Sequence, residues 1–320
     1  MKTYLVIDIG GSFIKSALIN EDRQLSQKSK YPTPNNMTDF LAVLQKLITD
    51  QSRLISGLAL ACPGEINSKT GFVFHGGLIP YLKNFPLGSY FSKQFSLPTT
   101  VINDADAAGL AEARYGVLRN LNCGAILVLG TGVGVSIVSK NNLISLITNN
   151  VRTKKPKDRL LDFRNPDSQA WPRIRQLFDI HRRGLENLLT NTGSAVQFVK
   201  KASEILNLVD ANGQAVFQAL ETSPSAALKE LFENYSQDIA YLILNLQSIF
   251  QLEKLAIGGG ISSQPSLLTE INRQYEQLIL SEKFIQSFPH IPIVASRFRN
   301  EANLIGAYCH FQIQSFYNFF

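Results

Sequence analysis

The chain has 320 residues, of which 45% are apolar and 18% charged. This globular composition excludes wholesale disorder, a collagen repeat and a long coiled coil, and the length suits about two domains of roughly 150 residues. Net charge is +6, and the stretch from Val151 to Gly184 alone carries ten Lys/Arg against four Asp/Glu, so the remainder is balanced.

The first element reads as a strand from Tyr4 to Ile9, β-branched and apolar, followed by a turn at Gly10-Gly11-Ser12 and a second strand from Phe13 to Ile19. Asp8 interrupts the opening apolar run, which is too short for a signal peptide, and a cytoplasmic location is the default expectation. Thr38 or Asp39 is placed to cap a helix reaching about Thr49. Ile55 to Cys62 reads as a buried strand broken by Pro63-Gly64. Another strand ends at Val101-Ile102, and Asn103-Asp104-Ala105-Asp106 leads into an Ala-rich helix from Ala107 to Tyr115.

Ala125 to Leu129, Gly130-Thr131-Gly132-Val133-Gly134 and Val135 to Val138 repeat the opening pattern of strand, glycine turn, strand about 120 residues on. The echo points to two related halves that aim their glycine turns at one place. After the irregular basic stretch come helices over Val196–Leu206, Ser225–Phe250 and Pro265–Leu280. Within this region lie a short strand, Leu255–Ile257, running into Gly258-Gly259-Gly260, and a strand at Ile291–Ala295. A helix from Glu301 to about Phe316 closes the chain. Strands alternating with helices indicate an α/β architecture. No run reaches the ~20 apolar residues of a bilayer span, so no membrane partner is expected. Cys62, Cys123 and Cys309 stand far apart without a CxxC, which argues for reduced thiols and against a Cys-rich zinc site. The basic stretch lacks a nucleic-acid-binding motif, so no nucleic-acid partner is expected; a solvated face or an anionic substrate accounts for it.

Several residues can carry chemistry. An acid at the end of a buried strand, as at Asp8, is costly unless it is paired or binds a cation. Gly10 and Gly11 let the backbone approach a ligand with its N–H groups, and Ser12 and Lys15 add a hydroxyl and a charge that suit phosphate oxygens. Gly130, Thr131 and Gly132 have the same chemistry, and Gly258, Gly259 and Gly260 can pass beneath a flat base or ribose. Asp104, after a strand and before a helix, is placed to take a proton from an alcohol; its alternative is an N-cap, and Asp104 and Asp106 can divide those two jobs.

In order and spacing, Asp8-x-Gly-Gly-Ser-x-x-Lys15, Pro63-Gly64, Asn103-Asp104, Gly130-Thr131-Gly132 and Ile257-Gly-Gly-Gly260 resemble the ROK family of sugar kinases and sugar-responsive repressors. The resemblance implies a two-domain actin-like/hexokinase (ribonuclease H-like) fold with a cleft between the domains. The smaller domain would span 1–118 plus a C-terminal helix at about 301–320. The larger, nucleotide-binding and dimerising domain would span 119–300. It implies ATP and Mg²⁺, with Asp8 at the metal and Gly10, Gly11, Ser12 and Lys15 at the phosphates. Gly130, Thr131 and Gly132 would lie opposite, and Gly258, Gly259 and Gly260 would border the adenosine. Gly64 and Asn103 would meet a sugar, and Asp104 would act as base toward its hydroxyl, expected to be the 6-OH of a hexose or glycoside. A small-molecule sugar and a second copy of the chain are the implied partners.

The chain departs from that family where the sugar wall should be. No glycine lies between Gly134 and Gly184, and neither the GE-x-GH motif nor the zinc-binding CxCGxxGCxE segment occurs. No structural zinc is therefore expected, and His181, in a basic helix-like context, reads as a surface residue. Three expectations follow: a kinase for an altered sugar, a degenerate sugar-binding sensor, or a repressor. The last is disfavoured because the chain starts directly at its first strand.

Overall fold

The computed structural model describes residues 2–144, 193–281 and 289–317. The basic stretch from Val151 to Gly184, with His181, lies outside the described residues. The apolar run at the N-terminus forms β1 (Thr3–Ile9), buried from Leu5 onward, and turns through Gly10–Ser12 into antiparallel β2 (Phe13–Asn20). β3 (Leu25–Pro32) pairs outside β2, while β4 (Leu58–Cys62) and β8 (Thr99–Asn103) add in parallel on the other side, giving the order β3-β2-β1-β4-β8. The second half repeats this plan. β9 (Gly124–Leu129) turns into antiparallel β10 (Val133–Ser139), with β11 (Asn142–Leu143) outside it. β12 (Lys254–Gly258) and β13 (Ile293–Ala295) follow in parallel, in the order β11-β10-β9-β12-β13.

Between β4 and β8 lie β5 (Glu65–Asn67), β6 (Phe72–His75) and β7 (Lys83–Phe85), which form a small sheet, and α2 (Leu87–Phe95). Together with α1 (Met37–Gln51), these cover one face of the first sheet around Phe40, Leu44, Ile48 and Phe91. One face of the second sheet packs on α4 (Ala195–Ile205), α5 (Gly213–Thr222), α6 (Ala226–Phe250) and α7 (Pro265–Ser281).

The two sheets meet through α3 (Asp104–Tyr115) and α8 (Ala302–Tyr317). Ala107, Leu110 and Ala111 of α3 pack with Val6, Ala59, Leu304 and Tyr308, whereas Ala108 and Ala113 pack with Ile126, Val138 and Ala256. A helix held between two layers must be narrow on both faces, which explains its alanines. The crossing is tighter still at Gly306: a Cβ there would stand 1.7 Å from the Ala107 carbonyl oxygen.

Local rules set the boundaries and correct several sequence expectations. The cap of α1 is Asn36, whose side chain accepts from Asp39 N, rather than Thr38 or Asp39. The fourth strand begins at Leu58, not Ile55. The second glycine turn is only Gly130–Gly132, because Val133 already pairs with Leu129.

Candidate active site

The turns at the C-terminal ends of β1, β4, β8, β9 and β12 converge on a cleft of about 480 Å³ between the sheets. At its floor sits Asp8, 4% exposed. Its register partner on β2 is Lys15, whose Nζ lies 3.4 Å from Asp8 Oδ2; Asn303 on α8 donates from Nδ2 to Oδ1 at 2.9 Å. The cation and the amide compensate the burial of this carboxylate without using all of its lone pairs. Lys15 therefore meets Asp8 here, in addition to lining the cleft.

The two glycine turns face each other. Ser12 Oγ and Thr131 Oγ1 stand 3.3 Å apart across the cleft. Gly10 N and Gly130 N close their own turns onto Phe13 O and Gly132 O, at 2.9 and 3.0 Å. Among the described residues the N–H groups of Gly11, Ser12, Thr131 and Gly132 donate to no protein acceptor, so they remain free for an anion. A Cβ on Gly11 would press on Leu78, 3.0 Å away. The Gly130 turn is braced from behind by Ser194, the N-cap of α4, whose Oγ donates to Thr131 O at 2.7 Å.

Opposite Asp8, the end of β8 delivers Asn103 and Asp104. Asn103, not Asp104, is the cap of α3: its Oδ1 accepts from Ala105 N (2.9 Å) and Asp106 N (3.1 Å). Its Nδ2 donates to Gly64 O at 2.9 Å, which ties β8 to the Pro63-Gly64 bend. With Asn103 as the cap, Asp104 lines the cleft, its Oδ1 also accepting from Ala105 N at 2.9 Å. Asp106 accepts from Ser136 Oγ at 2.9 Å and joins α3 to β10. Burial pushes the Asp104 carboxyl up to about 6, and the charge of Asp8 adds to the rise. Both acids, with burial as the larger cause, also push up the thiol of Cys62 beneath them.

Gly64 and Gly259 hold φ of +97° and +87°, and a Cβ would lie 1.9 Å from His75 O and 2.1 Å from Leu129 O. Only glycine fits either bend. Gly259 and Gly260 line the cleft; Gly258, the last residue of β12, packs on Ile126 and Val128 instead. The sequence reading missed Asn303, together with Arg299 and Asn300, which also line the cleft. A signal was available: these polar residues follow β13 as Asn103 and Asp104 follow β8.

The residues fit a magnesium-bound nucleotide. Mg²⁺ is usually held by one or two carboxylates together with substrate phosphates, and Asp8 beside free turn amides provides such a surface. The sequence profile of the ROK family matches residues 4–145 and 183–313. The chain belongs to the ROK family. This ROK chain is 24% identical, over 95% of each chain, to a beta-glucoside kinase of Listeria monocytogenes. To a glucokinase of Halalkalibacterium halodurans it is 26% identical, over 87% of this chain and 86% of the relative. A ROK family glucokinase from Streptomyces griseus, solved with glucose and AMPPNP, superposes with a TM-score of 0.70 at 21% identity, over 95% and 97% of the two chains. A ROK family protein from Streptococcus pneumoniae in complex with sucrose gives 0.71 at 24%, over 98% and 99%. The ROK chain thus has the actin-like fold. Among its described residues no helix is long and apolar enough to cross a membrane.

Proposed function

We propose that this protein is an ATP-dependent sugar kinase that phosphorylates the 6-hydroxyl of a hexose or glycoside, with Asp104 as general base. The reading rests above all on Asp104: with Asn103 as the helix cap and a single bond from Ala105 N to its own Oδ1, this carboxylate shares one cleft with the amides of two glycine turns and with Asp8. Its ordinary value raised to about 6 leaves it ionised at neutral pH yet more basic than a surface aspartate, which suits proton acceptance from an alcohol. Mg²⁺ bound with ATP supplies charge neutralisation at the β- and γ-phosphates. On this reading Asp8 holds the cation side, and the free N–H groups of Gly11, Ser12, Thr131 and Gly132 receive the phosphate oxygens. Lys15 pairs with Asp8 and faces the same anion. Gly259 and Gly260 leave room for the nucleoside, and Gly64 and Asn103 border the sugar. The protein is proposed to divide into a unit of 1–118 with about 301–320 and a unit of 119–300, to act in the cytoplasm and to pair as a homodimer. Closure of the units over the sugar would exclude water that competes as nucleophile.

A thermal-shift panel of sugars and glycosides with and without Mg·ATP, followed by an ADP-release assay on the hits, tests the proposal. The expected result is sugar-dependent ADP release. A second reading, a sensor that binds sugar without turnover, is favoured by the missing GE-x-GH segment. It predicts a melting shift with no ADP formed from any sugar that binds.

A further inference from the structure

Four arginines gather around the far end of α3, about 16 Å along the helix from Asp104. Arg23, on the turn after β2, lies with its guanidinium 4.3 Å from the centre of the Tyr115 ring. Arg297 donates from Nη1 to the Tyr115 carbonyl at 2.9 Å. Arg114 precedes Tyr115, and Arg119 follows one turn on. Arg114, Tyr115 and Arg119, with Asn141 and Asn142, line a cavity of about 290 Å³ that shares no residue with the cleft. Its opposite wall is the β10–β11 hairpin, and that wall is fixed. Asn120 N donates to Asn141 Oδ1 at 2.7 Å, Asn141 Nδ2 donates back to Asn120 Oδ1 at 3.1 Å, and Lys140 N donates to Leu121 O at 2.8 Å.

Among the described residues no carboxylate forms an ion pair with Arg23, Arg114, Arg119 or Arg297. Glu21 and Asp22 precede Arg23 on its turn without pairing with it. Glu112 is fully buried but spends Oε2 on Val117 N and Oε1 on Phe298 N, at 2.8 and 2.9 Å. Arg114 Nε is buried and has no hydrogen-bond partner among the described residues. A buried donor left unmade is unfavourable, so this nitrogen calls for an acceptor that the described residues do not supply. The negative end of the helix dipole amounts to about half a charge and offsets only a fraction of four guanidiniums.

We propose that this cavity is a second ligand site, distinct from the cleft, that takes a small phosphate-bearing anion. Guanidinium forks match phosphoryl oxygens in pairs, and Arg114 and Arg119 offer two such forks from one wall while Asn141 and Asn142 supply neutral polar groups from the other. The site stands independently of the kinase reading, since none of its residues serves the cleft.

Calorimetric titration of the full chain with inorganic phosphate, pyrophosphate and a hexose phosphate, at constant ionic strength, tests it. The expected result is saturable binding of at least one, weakened at least ~10-fold in Arg114→Ala/Arg119→Ala and changed less than ~2-fold in Lys46→Ala, which removes an exposed cation of α1 that lines neither cavity. The ligand bound most tightly tells a free phosphate from a phosphate ester. Arg119→Ala alone, at an exposed position, keeps the test open should the double variant fail to fold, with an expected loss of at least ~3-fold. Absence of binding, equal affinity of wild type and the arginine variants, or equal binding of phosphate and chloride would overturn the proposal.

Discussion

The two five-stranded sheets share one plan, and the differences between them fall at equivalent points. Each begins with a strand, a three-residue glycine turn and an antiparallel partner: Ile9 pairs with Ile14 around Gly10–Ser12, and Leu129 with Val133 around Gly130–Gly132. One residue further from the turn, the first hairpin pairs Asp8 with Lys15, and the second pairs Val128 with Gly134. Just beyond each parallel neighbour, β4 or β12, lies a glycine of positive φ, Gly64 or Gly259. Each sheet then sends a helix, α3 or α8, into the shared middle layer. Both halves offer backbone amides, but only the first puts carboxylates into the cleft from its hairpin and its helix. A repeated scaffold has become asymmetric through a few side chains, one half suited to charge and proton chemistry and the other to shape.

That asymmetry can be broken at its strongest point first. Asp104→Asn should lower kcat at least ~100-fold while sugar and nucleotide still bind, measured by steady-state ADP release and calorimetry. Asp8→Val, which converts the first hairpin to the pattern of the second, should weaken Mg·ATP binding by at least ~10-fold, with little change in sugar affinity. Gly306→Ala, which forces a Cβ onto the Ala107 carbonyl, should destabilise by about 1–3 kcal/mol or more, read as the denaturation midpoint.

A finer test uses pH. Because the folded value of Asp104 is raised to about 6 from 3.8, the folded state holds the extra proton between those limits, and this group's contribution to stability falls as pH rises through that window. Asp104→Asn should therefore be more stable than wild type above pH 6, by about 1–3 kcal/mol, with the difference vanishing below pH 4. Activity should fall below about pH 6 as the base is protonated. The smallest effect is expected from Asn303→Ala. Loss of its hydrogen bond to Asp8 should raise the Mg²⁺ concentration needed for nucleotide binding by a few-fold and lower stability by about 1 kcal/mol.

Much of this was legible in the chain itself. The strands β1, β2, β9 and β10 are runs of β-branched and apolar residues closed by glycines, a local signal that needs no partner. The elements that escaped notice have weak local signals. Leu25–Pro32 is an edge strand with mostly polar, exposed residues, and Glu65–Phe85 makes a sheet from strands of three or four residues. The distinction between Asn103 as cap and Asp104 as cleft-lining carboxylate was also hidden. Two adjacent residues with similar capping chemistry are separated only by the backbone angles at the end of β8.

What the sequence determined alone is the alternation of strands and helices, the glycine bends and the presence of two acids after strands, because each depends on residues close together in the chain. What only the tertiary structure decided is which groups meet. Asn303 reaches Asp8 across 295 residues, Ser12 faces Thr131 across 119, and Arg297 joins Arg23 at Tyr115, since helix packing between two sheets sets those distances.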